Sequence, residues 1–270
     1  MNSFISETVF YFLRLLALTL GTLVACGFAV RLCATVFSRL LGCHSGNVFD
    51  ITAVVGTPVH ELGHAVMCIL FCHRITDICL WSPRARDGVY GYVEHSYNRK
   101  NIWAGIGNLF IGFGPLFSGL GVTVLMLWLC FPTQWAGYLG SSQALAANEF
   151  TAREIVQNVF SLMQSLPYAF RESWLRALAG LAVMLSISLH VSLSWADVKG
   201  SASAIPFYAA ITALFAIVTR LLRLDGIILP WLRLLNLRVL SLFALVLAFS
   251  LLWVLVALII RLVRLIVSWF

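Results

Sequence analysis

Two histidines and a glutamate occur with the spacing H-E-x-x-H at His60, Glu61 and His64. Residues four apart lie on one face of a helix, so both imidazoles could bind one zinc ion. Glu61 would then lie beside the metal, where a carboxylate can take a proton from metal-bound water. This pattern arises by chance in roughly 0.3% of chains with this composition. The spacing therefore predicts a helical zinc site with its own general base.

A catalytic zinc has three protein ligands and one open position, so a third ligand must come from elsewhere. Asp197 is the preferred candidate, because it is a carboxylate between two apolar segments. His190 precedes it by seven residues, about two helical turns, and would share its face if the segment were helical. It could ligate instead, or hydrogen-bond to a ligand. Asp225 is a further alternative, although the adjacent Arg223 favours an ion pair. Weaker candidates near apolar segments are Asp50, His95 and Asn108.

The composition places these residues in a membrane protein. Hydrophobic residues make up 61% of the chain and charged residues 11%, and the mean hydropathy is +0.94. Soluble domains contain about 25% charged residues. We therefore expect an all-α polytopic protein in a lipid bilayer, with about six transmembrane helices. The predicted spans are 8–30, 48–72, 103–131, 177–196, 202–219 and 239–260.

The net charge of +7 comes mostly from arginines near the ends of apolar segments. This distribution favours anchoring at an anionic lipid surface over binding to nucleic acid. We expect a multi-pass protein of a bacterial inner membrane. We divide it into an N-terminal span with its connection (1–47), a core that carries the motif and third ligand (48–207), and C-terminal spans with an arginine-rich interfacial segment (208–270).

The motif segment contains a predicted break. Thr57 is a good N-cap and Pro58 suits a first helical turn, so we expect the motif helix to begin near Pro58. After the motif, 75–81 and 89–95 are rich in strand-forming residues and flank a turn-forming segment, which predicts a β-hairpin. Its edge strand could pair with an extended substrate through Val89, Gly91 and Val93.

The remaining connections give coarser expectations. The glycine-rich span at 103–131 predicts close helix packing, and 152–164 predicts an amphipathic helix. The arginine-bearing segment up to Arg238 is expected at the membrane interface, ahead of the last span. His73 and His95 are also expected at the interface.

The chain resembles the site-2 protease family of intramembrane zinc metalloproteases. The resemblance rests on the H-E-L-G-H motif, the strand-like region 75–95 and the segment Gly112–Gly119, which is similar to the family's glycine-proline segment. The family's third ligand is a downstream aspartate, often within Leu-Asp-Gly. Leu224-Asp225-Gly226 matches that form, whereas Asp197 lacks the signature but directly follows a clean span, so both stay open.

The resemblance implies hydrolysis of a peptide bond in or near a transmembrane segment of a membrane-protein substrate. His60, His64 and one aspartate would hold Zn²⁺, and Glu61 would serve as general base. Asn108 would help to stabilise the oxyanion. The substrate helix would unwind before cleavage and be held extended by the edge strand.

Other readings use the same motif. A prenyl-protein-type membrane metalloprotease would take its third ligand from a downstream glutamate, Glu149 or Glu154. A membrane zinc transporter or metal sensor could bind zinc without hydrolysis, although the chain lacks a histidine-rich loop. A scaffold without catalysis is also conceivable, but the intact Glu61 counts against it.

Overall fold

The computed structural model describes residues 2–83, 89–146 and 152–268. These residues form a mostly helical structure with one two-stranded antiparallel sheet. The motif lies on α3, and the sheet follows it directly. The elements are α1 (Asn2–Leu16), α2 (Thr22–Leu41), α3 (Ser45–Leu70), β1 (Arg74–Cys79), β2 (Tyr92–Ser96), α4 (Ile102–Gly112), α5 (Gly114–Cys130), α6 (Pro132–Ala146), α7 (Ala152–Ser165), α8 (Ala169–His190), α9 (Trp195–Ala202), α10 (Ile205–Leu221) and α11 (Asp225–Val267).

Several helices are long and apolar enough to cross a membrane, which confirms the expected class. Four qualify alone: the α1–α2 unit over Phe4–Leu41, α3, the α7–α8 unit over Ala152–His190, and α11. Two pairs of shorter helices, α4–α5 and α9–α10, qualify together but bend by 58° at a short break. Within the described residues, the candidate spans therefore number four, or up to six if each bent pair is one span.

The expected break before the motif is wrong. Helix α3 runs without interruption through Pro58, and Thr57 lies inside it instead of capping it. A proline removes only one backbone donor, and helices in apolar surroundings tolerate that loss where neighbouring helices pack around them. Thr57 is buried, and its hydroxyl has no hydrogen-bond partner among the described residues. The motif therefore sits in the second half of a long helix.

Helix α3 is held in the middle of the bundle. It packs against α5 on one side and α8 on the other, with α4 nearby. Helix α4 in turn packs on α9, and α11 packs on α2, α7 and α8. Leu116, Ile187 and Leu245 are fully buried where α5, α8 and α11 meet. Burial of these side chains fixes α5 and α8, the two helices that pack against α3.

The backbones of α3 and α5 lie in close contact at the motif. A Cβ atom on Gly63 would lie 2.5 Å from the carbonyl carbon of Gly114 and 2.5 Å from Ser118 Oγ. No side chain fits at that distance, so glycine is required at this position inside the motif. This contact accounts for Gly114 in the glycine-rich segment that follows the sheet.

The predicted hairpin is present as β1 and β2, which pair with Cys79 opposite Tyr92 and Ile75 opposite His95. The second strand starts later than expected, and Val89 forms an isolated bridge. The predicted turn at 84–88 lies outside the described residues.

The C-terminal half agrees with expectation only in part. Helix α7 agrees with the predicted amphipathic helix, and α8 contains a kink at Ser173. The arginine-bearing segment before residue 239 is not a separate interfacial stretch, because α11 is continuous from Asp225 to Val267. Apolar residues flank each arginine, and the helix continues through these positions. The proposed region boundaries at 47 and 207 fall inside α3 and α10.

Candidate metal centre

The imidazoles of His60 and His64 project from successive turns of α3, and backbone carbonyls fix both rings. His60 Nδ1 donates to the carbonyl oxygen of His190 at 2.8 Å, and His64 Nδ1 donates to that of Ile111 at 2.7 Å. A carbonyl oxygen can only accept, so each neutral ring carries its proton on Nδ1. Each Nε2 is therefore left with a free lone pair, the form in which histidine binds metals.

Asp197 joins these rings from the first turn of α9. A capping box holds this helix start: the Asp197 N–H donates to Ser194 Oγ at 3.0 Å, and the Ser194 N–H donates to Asp197 Oδ2 at 2.7 Å. The capping bond occupies one carboxylate oxygen. The other, Oδ1, lies 3.3 Å from His64 Nε2. The helix cap thus also orients the carboxylate.

The three side chains have the geometry of a metal site. His60 Nε2 and His64 Nε2 are 3.3 Å apart, and the ligand atoms of all three residues lie within 4.8 Å of one another. Tetrahedral ligands at about 2.0–2.1 Å from zinc are about 3.4 Å apart. Two lone pairs and a carboxylate oxygen repel one another at this spacing unless a cation lies between them. His60, His64 and Asp197 could therefore hold a metal ion.

Glu61 and Asn108 face the same space without belonging to that ligand group. Both line a cavity of about 480 Å³ that His60, His64 and Asp197 also line, which we call the metal cavity. Glu61 is 7% exposed, and Asn108 is half-buried on α4. His60 and Glu61 also line a second cavity of about 490 Å³. Glu61 is thus buried beside the ligands and reachable from both cavities.

The alternative ligands lie elsewhere. The His190 ring packs over Gly56 and its Nε2 is 3.0 Å from Thr52 Oγ1, so only its backbone carbonyl supports the site. It does not share a helical face with Asp197, because α8 ends at His190 and a non-helical link precedes α9. Asp225 accepts a hydrogen bond from Arg220 at 3.0 Å.

Of the two glutamates that a prenyl-protein-type protease could use, the described one, Glu154, does not belong to the ligand group. Glu154 lies on α7, and Glu149 is outside the described residues. Within residues 2–83, 89–146 and 152–268, His60, His64 and Asp197 form the one group of three or more such side chains. A zinc transporter would need metal ligands at several depths along its path, whereas the described residues contain a single ligand group.

The predicted substrate strand lines the metal cavity. Val89, Gly91 and Val93 all border it. A Cβ atom on Gly91 would lie 2.8 Å from Glu61 Cγ and 2.7 Å from Thr57 Cγ2, so only glycine lets the strand approach α3 this closely. The neighbouring Tyr90 hydroxyl donates to Asp50 Oδ1 at 2.6 Å, which fastens the segment to α3. Burial and this bond raise the pKa of Tyr90 to about 12.

No family model, curated protein or solved structure matches this chain. The resemblance to site-2 proteases therefore remains a prediction, and the function has to be argued from the site itself.

His95 has a larger part in the site than its position in the sequence indicated. His95 also lines the metal cavity, and His73 holds it there: their Nδ1 atoms are 3.0 Å apart. His73 is 6% exposed and packed inside the protein. Burial lowers the pKa of His95, and the nearby His73 and His64 lower it further. The signal was available: in a strand, His95 shares a side with Val93 and Gly91.

Proposed function

We propose that this protein is an intramembrane zinc metalloprotease that hydrolyses a peptide bond in or near a transmembrane segment of a membrane-protein substrate. One observation carries the proposal: two imidazoles and a carboxylate converge at metal-ligand spacing in a cavity that also contains a non-ligating buried carboxylate. A purely structural metal site would use four protein ligands, whereas three leave a position for water.

The ligand set favours zinc. Two imidazole nitrogens and one carboxylate oxygen form a set typical of catalytic zinc, and the metal cavity supplies room for water and a peptide. When bound, zinc lowers the pKa of its water towards neutrality and polarises a carbonyl group. The carbonyls of His190 and Ile111 keep the two rings in the metal-binding tautomer before any metal arrives.

Glu61 is the proposed general base. Its carboxylate accepts a proton from the attacking water as the new carbon–oxygen bond forms at the peptide carbonyl. It then delivers that proton to the amide nitrogen as the carbon–nitrogen bond breaks, so a carboxylic acid and an amine are released. The Asn108 side-chain amide, which lines the metal cavity from α4, would donate a hydrogen bond to the carbonyl oxygen as charge develops on it.

The strand beside the cavity supplies a means of holding the substrate. Ser82 N–H donates to the Tyr90 carbonyl oxygen at 2.8 Å, so Tyr90 directs its backbone groups towards the β1 side. Within the described residues the sheet has only β1 and β2, so the edge of β2 away from β1 is not paired with another strand. An extended segment can pair there as an added strand. A helical substrate must unwind first, because its carbonyls are engaged within the helix.

The test compares peptide-bond cleavage by the wild-type and Glu61→Gln proteins in proteoliposomes that contain a library of single-span membrane proteins. Wild-type protein loaded with zinc should create new termini within or next to the spans, detected by mass spectrometry. Glu61→Gln should create none while retaining zinc, because the base is lost and the ligands are intact. Glu7→Gln, on α1 beside Arg220, serves as the matched control and should cleave. New termini with Glu61→Gln, or none with the zinc-loaded wild type, would contradict the proposal.

A further inference from the structure

His73 has a defined hydrogen-bonding state. Its Nε2 lies 2.8 Å from the carbonyl oxygen of Ala104, and a carbonyl only accepts, so Nε2 carries the proton. The ring stacks on Tyr97, with centroids 4.6 Å apart, which holds its plane. In the neutral ring, Nδ1 then presents a lone pair. That lone pair points at His95.

The state of His73 determines that of His95. The two Nδ1 atoms are 3.0 Å apart, and two lone pairs cannot form this contact, so His95 Nδ1 carries the proton and donates. The neutral His95 ring therefore has its remaining lone pair on Nε2. Because Nδ1 faces His73, Nε2 is on the side of the ring away from it, and His95 lines the metal cavity.

A hydrogen-bond acceptor held in the metal cavity could bind a backbone N–H group of a peptide. His95 is on β2, the same strand as Val93, and shares the cavity with Glu61 and Asn108. The ring nitrogens of His60 and His64 bond to carbonyl oxygens or would bind the metal, so neither ring is free to accept from a peptide. A peptide that lies extended across the cavity presents backbone N–H groups, which need acceptors once they leave water.

We propose that His95 Nε2 accepts a hydrogen bond from a backbone N–H of the bound peptide, and that His73 is a positioning residue that fixes His95 for this contact. The inference rests on the proposed function and adds a peptide-recognition residue to it. His95 touches the substrate, whereas His73 acts only through the ring it holds.

The experiment measures binding of hydroxamates to zinc-loaded protein. Acetohydroxamate binds through the metal alone. Two tripeptide hydroxamates, which extend in opposite directions from the metal-binding group, also present backbone N–H groups. His95→Asn keeps a donor near the Nδ1 position for His73 but has no atom at Nε2. It should weaken one tripeptide about tenfold and leave acetohydroxamate unchanged. His95→Gln, whose amide reaches the Nε2 position, should restore most of that affinity.

A second measurement needs no variant. Methylating the one peptide nitrogen that pairs with His95 should weaken wild-type binding by the same factor, and His95→Asn should then have no additional effect. The proposal is overturned if His95→Asn binds both tripeptides as the wild type does, or if it loses acetohydroxamate equally. Zinc-loaded wild type that binds no acetohydroxamate would instead reject the metal centre of the proposed function, and this inference with it.

Discussion

Two pairs of histidines lie at the metal cavity, which His60, His64 and His95 line and behind which His73 is buried, and the pairs differ in the number of free ring nitrogens. In the first pair, His60 and His64, each Nδ1 donates to a carbonyl of another helix or its end, so both Nε2 atoms remain free and lie 3.3 Å apart. In the second pair, His73 and His95, one carbonyl fixes one ring and the rings bond to each other. One nitrogen then remains free.

The difference shows that backbone carbonyls, more than residue type, decide what a histidine can do here. Two carbonyls produce a metal-binding pair, and a single carbonyl produces one hydrogen-bond acceptor. The first pair belongs to the packed helices α3, α4 and α8, whereas the second joins the end of α3 to the sheet. Variants that affect one pair and spare the other test this division.

The largest effect is expected from deleting a ring of the first pair. His64→Ala removes one of three ligands, so zinc affinity should fall more than about 100-fold, beyond the 10–100-fold typical of losing a supporting residue. His73→Ala should leave zinc affinity within a few-fold of wild type. Competition with a chromophoric chelator measures both. Equal losses in the two variants would erase the distinction between the pairs.

A smaller effect should follow from disturbing the helix contact beside the first pair. Gly63→Ala places a methyl group against the Gly114 backbone, and overpacking of this kind costs about 1–3 kcal/mol. Gly121→Ala, on α5 with nothing within 4 Å of the added atom, should be neutral or stabilising by up to about 1 kcal/mol. Unfolding in mixed micelles measures the difference. If Gly63→Ala were as stable as Gly121→Ala, the close contact between Gly63 and Gly114 would not limit the size of the residue at position 63.

The smallest effect concerns the cap that orients Asp197. Ser194→Ala removes the hydroxyl that accepts from the Asp197 N–H, and losing such a cap costs about 1 kcal/mol. The remaining Ser194 N–H bond should limit the loss of zinc affinity to about tenfold. Ser203→Ala, at the other end of α9, is the control and should bind zinc normally. If Ser194→Ala binds zinc as tightly as the control, the cap does not orient the ligand.

Part of the site could be predicted because it depends on local spacing. His60, Glu61 and His64 are related by one helical turn, and the hairpin follows from strand-forming residues around a turn-forming segment. Asp197 was preferred as a carboxylate between spans, and the structure brings it to the two histidines. Membrane character followed from composition alone.

Other features depend on contacts between distant segments. Pro58 predicted a helix start because a proline loses no hydrogen bond in a first turn but removes one inside a helix. Packing of the neighbouring helices around α3, which local sequence does not report, lets the helix continue through it. The Ala104 carbonyl that fixes His73 lies 31 residues away in sequence. His190 appeared to share a face with Asp197, but α8 ends at His190. No periodicity in the sequence reports such contacts.

The most direct test of the metal centre is X-ray absorption at the zinc edge of purified, metal-replete protein, with the stoichiometry measured on the same sample. We expect one zinc per chain, with two imidazole nitrogens and two oxygens at about 2.0–2.2 Å. One oxygen should be lost in Asp197→Ala, and the spectrum of His73→Ala should match wild type. A sulfur ligand, a single imidazole, or no bound zinc would contradict the account.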